Sequence, residues 1–199
     1  MSMWKKIQQL LGVHHHNKGD DSDEFELVHF KKKDPIDVQF TKNFVASGAF
    51  FFYSENEQEI LKNLKDIVDN ENINEILCFD NDLKSLLNRL NVKHTEDFDT
   101  FSNYAFIKCE YLMAFDGSIM MSSHQTKGRK QDEMPENLIV YATPSQFVSN
   151  ISDALQKLKS VKKDDIPTNI TSIRGKNVNN MPVSSFSKNI FLLLAESYQ

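Results

Sequence analysis

Residues 104–141 open as Tyr104-Ala105-Phe106-Ile107-Lys108-Cys109-Glu110 and turn at Phe115-Asp116-Gly117-Ser118. They run on as Ile119-Met120-Met121-Ser122-Ser123-His124 and, past a polar loop, close with Asn137-Leu138-Ile139-Val140-Tyr141. This is the pattern of a buried strand, a glycine turn, a second strand and a third. An Asp-Gly pair between apolar strands marks a tight turn, because glycine accepts the positive φ that side chains resist. The second strand ends in two hydroxyls and an imidazole, so an apolar element delivers polar groups to one edge of a sheet. Open α/β sheets hold their sites at such edges.

Upstream, Pro35 starts a helix through Phe40, Phe44 and Val45 that stops at Gly48, and Ala49-Phe50-Phe51-Phe52-Tyr53 reads as a strand. Ile60, Leu61, Leu64, Ile67 and Val68 keep the spacing of one helical face. Glu75-Ile76-Leu77-Cys78-Phe79 is a buried strand, and Asp80 or Asn81 caps a helix carrying Leu83, Leu86, Leu87 and Leu90. Downstream, Thr143 and Pro144 are read as the start of a helix whose buried face runs from Phe147 and Val148 to Leu158. Ile170–Ile173 is a short strand or turn, and Ile190–Leu194 is a closing strand. Short apolar strands alternating with amphipathic helices imply an α/β domain with a mostly parallel sheet covered on both faces. That domain spans residues 34–199. It follows an amphipathic helix at 1–12 (Trp4, Ile7, Leu10, Leu11) and a polar, flexible linker at 13–33.

The chain has 199 residues, of which 40% are apolar, including 15 Phe, enough for one sizeable core. A formal charge of −5 offers nucleic acid or an anionic membrane no electrostatic attraction. Neither a membrane-spanning apolar run nor the apolar core of a signal peptide is present, so the expectation is a cytoplasmic protein. Cys78 and Cys109 sit in apolar runs without metal spacing and are expected to be buried, reduced thiols. Two cysteines cannot supply the four thiolates of an iron–sulfur cluster.

Several residues invite chemistry. The His14-His15-His16 run lies in the linker, where nothing makes three imidazoles converge, so no metal site is assigned. Ser122 and His124 would share a face if the strand continued, as a nucleophile and base would, but no acid at an evident spacing orients the imidazole and there is no G-x-S-x-G elbow. Glu110 and Asp116 flank the segment before the turn as a possible carboxylate pair. Arg174-Gly175 follows Thr168-Asn169 and Thr171-Ser172, and a guanidinium beside exposed amides suits an anion. Walker A, G-x-G-x-x-G and HExxH motifs are all missing.

Three segments carry a family likeness. Asp116-Gly117-Ser118-Ile119 with Ser122-Ser123 and Gln125, Pro135-Glu136-Asn137-Leu138-Ile139-Val140-Tyr141-Ala142-Thr143, and Pro167-Thr168-Asn169-Ile170-Thr171-Ser172-Ile173 resemble the LUD-domain family, the lactate-utilisation proteins B and C. The chain is most similar to the short, single-domain members. The resemblance implies a Rossmann-like three-layer fold, related to ribose-5-phosphate isomerase and CoA-transferase domains. It also implies an accessory role in oxidising lactate to pyruvate. Iron–sulfur lactate-utilisation proteins would be the partners and carry the redox chemistry, while this chain holds no cofactor and binds a partner or a small anionic metabolite. The ligand-contact set is then Ser122, Ser123, His124, Thr168, Asn169 and Arg174, with Gly117 shaping the turn. After Arg174-Gly175 the chain departs from the family's serine–arginine–threonine-like continuation, and Gly117 alone does not reproduce the glycine-rich context of a CoA-transferase nucleophile near Glu110. The alternative readings are an enzyme acting on an acyl or phosphorylated metabolite at the strand ends, and an interaction protein that docks through its N-terminal helix.

Overall fold

The computed structural model describes residues 34–98, 102–163, 165–176 and 187–196. The helix expected at 1–12, the linker at 13–33 with its histidine run, and the continuation beyond Lys176 lie outside the described residues. In chain order the elements are α1 (Ile36–Ala46), β1 (Phe50–Ser54), α2 (Glu57–Asn70), β2 (Glu75–Leu77), α3 (Asn81–Arg89), β3 (Lys93–Thr95), β4 (Tyr104–Lys108) and β5 (Tyr111–Met113). They continue with β6 (Ser118–Ser122), α4 (Ser123–Thr126), β7 (Asn137–Ala142), β8 (Phe147–Val148), α5 (Ile151–Val161), β9 (Ile170–Gly175) and β10 (Ser187–Ala195).

Six strands form a parallel sheet in the order β3-β2-β4-β7-β10-β1. Each central strand is apolar on both faces, as a doubly covered sheet requires. Ile76, Phe106, Ile139, Phe191 and Leu193 meet Leu64, Ile67 and Val68 of α2 and Leu83 and Leu87 of α3. Ala105, Ile107, Leu138, Val140, Leu192 and Leu194 face the other way, onto Phe40 and Phe44 of α1 and Leu112, Ile119 and Met121 of a smaller sheet. That smaller sheet runs β9-β6-β5-β8, joins β10 through β9, and is covered outside by α5. The result is a Rossmann-like three-layer α/β architecture with a large, mostly parallel sheet. Phe40, Phe44 and Phe106 are fully buried, and each contributes about 2–3 kcal/mol through its apolar surface.

Two local readings are corrected. The apolar run from Tyr104 is two strands, because the chain breaks at Cys109-Glu110. β4 stays in the parallel sheet, and β5 leaves to pair antiparallel with β6 around the Ala114–Gly117 turn. Phe147 and Val148 do not begin a helix. After a short 3₁₀ turn at Pro144–Gln146 they form β8 beside β5. α5 starts only where the Asn150 side chain accepts from the backbone of Ser152 (2.9 Å) and Asp153 (3.1 Å).

Candidate functional site

The β6 strand ends because its last residue becomes a helix cap. Ser122 Oγ accepts from His124 N–H at 3.2 Å, and Gln125 Oε1 accepts from Ser122 N–H at 2.7 Å. This is a reciprocal capping box written as Ser-x-x-Gln. α4 is a single turn, stopped by Lys127 (φ 53°) and Gly128 (φ 77°) in left-handed conformation. Ser122 and His124 therefore do not share a strand face, and the expected alignment of nucleophile and base is corrected. The hydroxyl of Ser122 is already engaged: its one proton goes to Glu110 Oε1 at 2.7 Å.

Glu110 leaves the carboxyl end of β4 and is 9% exposed. Its Oε1 accepts from Ser122 Oγ, from Gln125 Nε2 (2.9 Å) and from Lys162 Nζ (2.8 Å), the latter reaching in from just beyond α5. Burial pushes this carboxyl up, but the Lys162 ammonium and the Ser122 and Gln125 donors outweigh it and hold the group below the usual carboxylate range. A carboxylate held this way is a weak base, so it does not activate Ser122. Lys162 Nζ also lies 3.0 Å from His124 Nδ1. An ammonium has no lone pair, so Nδ1 accepts and the imidazole proton sits on Nε2, 3.4 Å from Asp165 Oδ1. An acid thus does stand near His124, brought by a segment 41 residues on (165 − 124).

The antiparallel pairing of β6 with β9 separates the expected contact residues. Ser122 lies opposite Ile170, and Ser123 N–H donates to Asn169 C=O at 2.9 Å. Ile119 lies opposite Ile173, so Arg174 falls at the far end of the hairpin, paired with Asp116. Four residue steps of strand, roughly 13 Å, separate Ile170 from Arg174. The six residues of the expected contact set therefore do not meet at one edge of the sheet, and Arg174 is the one set apart. The pairing also parts Asp116 from Glu110.

Ser122, Ser123 and Asn169 line a cleft of about 320 Å³. Thr168 is exposed beside it but is not part of its wall. Opposite them stand Thr126, Arg129, Lys130 and Gln131, which sequence reasoning missed. The 3₁₀ turn that carries Gln131 is pinned by Met134, 5% exposed, whose carbonyl accepts from the buried Lys188 ammonium at 3.1 Å. Two polar atoms in this wall have no partner among the described residues: Thr126 Oγ1, on a residue 3% exposed, and Gln131 Nε2. Thr171 Oγ1 donates to Gln131 Oε1 at 2.9 Å, which fixes the amide so that its N–H groups are the ones left unpaired. Leaving a buried polar atom unpaired costs about 1–3 kcal/mol, so these are two groups that the fold itself leaves unsatisfied within residues lining the cleft. The Ser122-x-x-Gln125 box, Gly128 and the Arg129-Lys130 doublet were the available sequence signals.

His124 and Gln125 face the other way, into a second cavity of about 340 Å³ at the carboxyl ends of β2 and β4, lined also by Phe79, Asp80 and Lys108. The chain runs outward from β2 to β3 and in the opposite direction from β4 to β7, so this is a topological switch point, where open α/β sheets place ligands. α4 is the partition between the two cavities. Among the described residues no group of three His, Cys, Asp or Glu side chains is arranged to hold a metal ion.

Comparison with known proteins adds the fold. A solved structure, the 1.70 Å crystal structure of a DUF162 family protein from Deinococcus radiodurans, superposes with a TM-score of 0.59 at 14% sequence identity, covering 81% of this chain and 96% of that one. DUF162 corresponds to LUD-domain-like proteins. No protein-family model and no curated protein matches the chain. At that identity the likeness establishes shared architecture.

Proposed function

We propose that this chain is a LUD-domain-like protein of the short, single-domain branch that binds a small anionic metabolite in the cleft between α4 and β9. In this reading it is a cytoplasmic accessory component of lactate utilisation, and partner iron–sulfur proteins carry the electrons. One observation carries the binding claim: a buried hydroxyl and a buried amide, Thr126 Oγ1 and Gln131 Nε2, stand unpartnered in a wall that also holds Arg129 and Lys130. Donors without acceptors beside two cations suit an anion. The DUF162 architecture supports the family assignment, and the lactate role rests on the sequence resemblance. A second reading, an enzyme acting on an acyl or phosphorylated metabolite, is favoured by the switch-point cavity with His124 at its wall.

Thermal-shift titration with lactate, pyruvate, an acyl-CoA and sugar phosphates separates these readings. A ligand at tenfold its dissociation constant adds about 1.4 kcal/mol, or roughly 3–6 °C in Tm for a domain of this size. Arg129→Ala is expected to cut the shift to about a third, as a tenfold weaker dissociation constant would, and Arg174→Ala to leave it intact. Thr126→Val is expected to raise the Tm of the ligand-free protein by about 1 kcal/mol of stability while weakening the ligand, because it deletes an unpaired hydroxyl. No shift with any of these ligands sinks the metabolite reading; a shift lost in His124→Ala and kept in Arg129→Ala moves the site to the switch-point cavity.

A further inference from the structure

We infer that Phe98 is the positioning residue of the cleft and that, through Arg129, it selects a planar carboxylate as the ligand's anchoring group. The inference rests on the cleft reading above. The Arg129 guanidinium carbon lies 4.7 Å from the centroid of the Phe98 ring. The same ring packs on Phe79, with centroids 5.0 Å apart and planes tilted by 31°. Both rings are partly buried against the main core cluster. The stack is therefore rooted in the core at Phe79 and ends in a cation on the cleft rim.

The stacking occupies the face of the guanidinium and none of its N–H donors, which lie in its plane. Among the described residues no carboxylate or carbonyl accepts from them. Most exposed arginines either pair with an acid or sample many rotamers; this one follows Gly128 in the loop after α4, and the aromatic ring restricts its side chain before any ligand arrives. A coplanar fork of donors matches the two coplanar oxygens of a carboxylate. Charge narrows the class further. On the rim, Arg129 and Lys130 stand against Asp132, one net positive charge, which suits a monoanion better than a phosphate dianion. The inward amide of Gln131 and the Thr126 hydroxyl are neutral donors and add no charge.

Acetate and inorganic phosphate, titrated at matched ionic strength and followed by backbone amide NMR shifts, test this on the full chain. Acetate is expected to move amides of residues 122–131 and 169–171 and to bind more tightly than phosphate. Arg129→Ala and Arg129→Lys are expected to weaken acetate about tenfold, since a lysine has no fork. Phe98→Leu and Phe98→Met, which keep apolar bulk without a π face, are expected to weaken it about three- to tenfold, and Phe98→Tyr to keep it within about twofold. The double variant Arg129→Ala with Phe98→Leu is expected to be no weaker than Arg129→Ala alone, a coupling that a general packing defect would not reproduce. Two Phe98 variants guard against one failing to fold. If Phe98→Leu and Phe98→Met bind acetate like the native protein while Arg129→Ala does not, the positioning role is wrong. Tighter phosphate binding overturns the carboxylate class. Undiminished binding by Arg129→Ala overturns the cleft reading itself.

Discussion

Glu110 concentrates the electrostatics of this molecule in a single oxygen. Three donors converge on Oε1, one of them the ammonium of Lys162, 52 residues away. Because its folded pKa lies below the unfolded value, the ionised group contributes stability that is fully present above about pH 5 and is lost as the pH falls through the depressed folded value. Glu110→Gln keeps the shape, removes the charge and leaves Lys162 without its counter-ion. It is expected to cost about 2 kcal/mol at neutral pH, less than for a fully buried pair because Lys162 is partly exposed. Urea melts of both proteins between pH 3 and 7 check this, the gap narrowing toward the acid end. A gap that stays constant with pH would mean that Glu110 does not titrate with folding. The same residue explains why Ser122 is a cap and not a nucleophile: its proton and its acceptor capacity are already committed to Glu110 and to the His124 amide.

At the scale of elements, the β5–β6 hairpin shows what local sequence can specify. Asp116-Gly117 announced the turn, and the structure adds the reason that glycine is needed there twice over. Gly117 has φ 68°, and a Cβ on it would collide with the backbone of Asn43 and Phe44 in α1. Gly128 has a similar φ of 77° with open space around it. Gly117→Ala is expected to cost about 3 kcal/mol or more and Gly128→Ala about 1 kcal/mol, the difference being the collision with α1. Equal losses in thermal melts would refute that contact. Other features were illegible for physical reasons. The switch from β4 to β5 hides inside one mostly apolar run, because both strands bury most of their side chains and the break at Cys109-Glu110 is only two residues long. Phe147 and Val148 kept helical spacing with Ile151 and Leu155, so periodicity could not separate a two-residue strand from a helix start. Whether β9 lies parallel or antiparallel to β6 is a tertiary fact. It decides that Asn169, and not Arg174, accompanies Ser122.

The whole molecule is organised about one sheet with a core on each face, and its two cysteines report on those cores separately. Cys78 is fully buried among the residues that meet α2 and α3, and Cys109 is 5% exposed among those that meet α1 and the smaller sheet. Both thiols are free, and burial pushes Cys78 up to about 11 and Cys109 higher still. Reaction with a disulfide reagent at pH 8 then requires both exposure and deprotonation, and neither is available in the folded state. Strands β4, β7 and β10 contribute side chains to both cores, so opening one face strips packing from the other. The expectation is that Cys78→Ala and Cys109→Ala proteins, each with one remaining thiol, label at rates set by the same urea-dependent opening free energy. If Cys109 instead labels faster and without urea dependence, the smaller sheet opens on its own. That outcome would make the cleft, built on β6 and β9 of that sheet, the part of the molecule most easily remodelled by a ligand. If both thiols label rapidly in the native protein, the two-core description fails at its base.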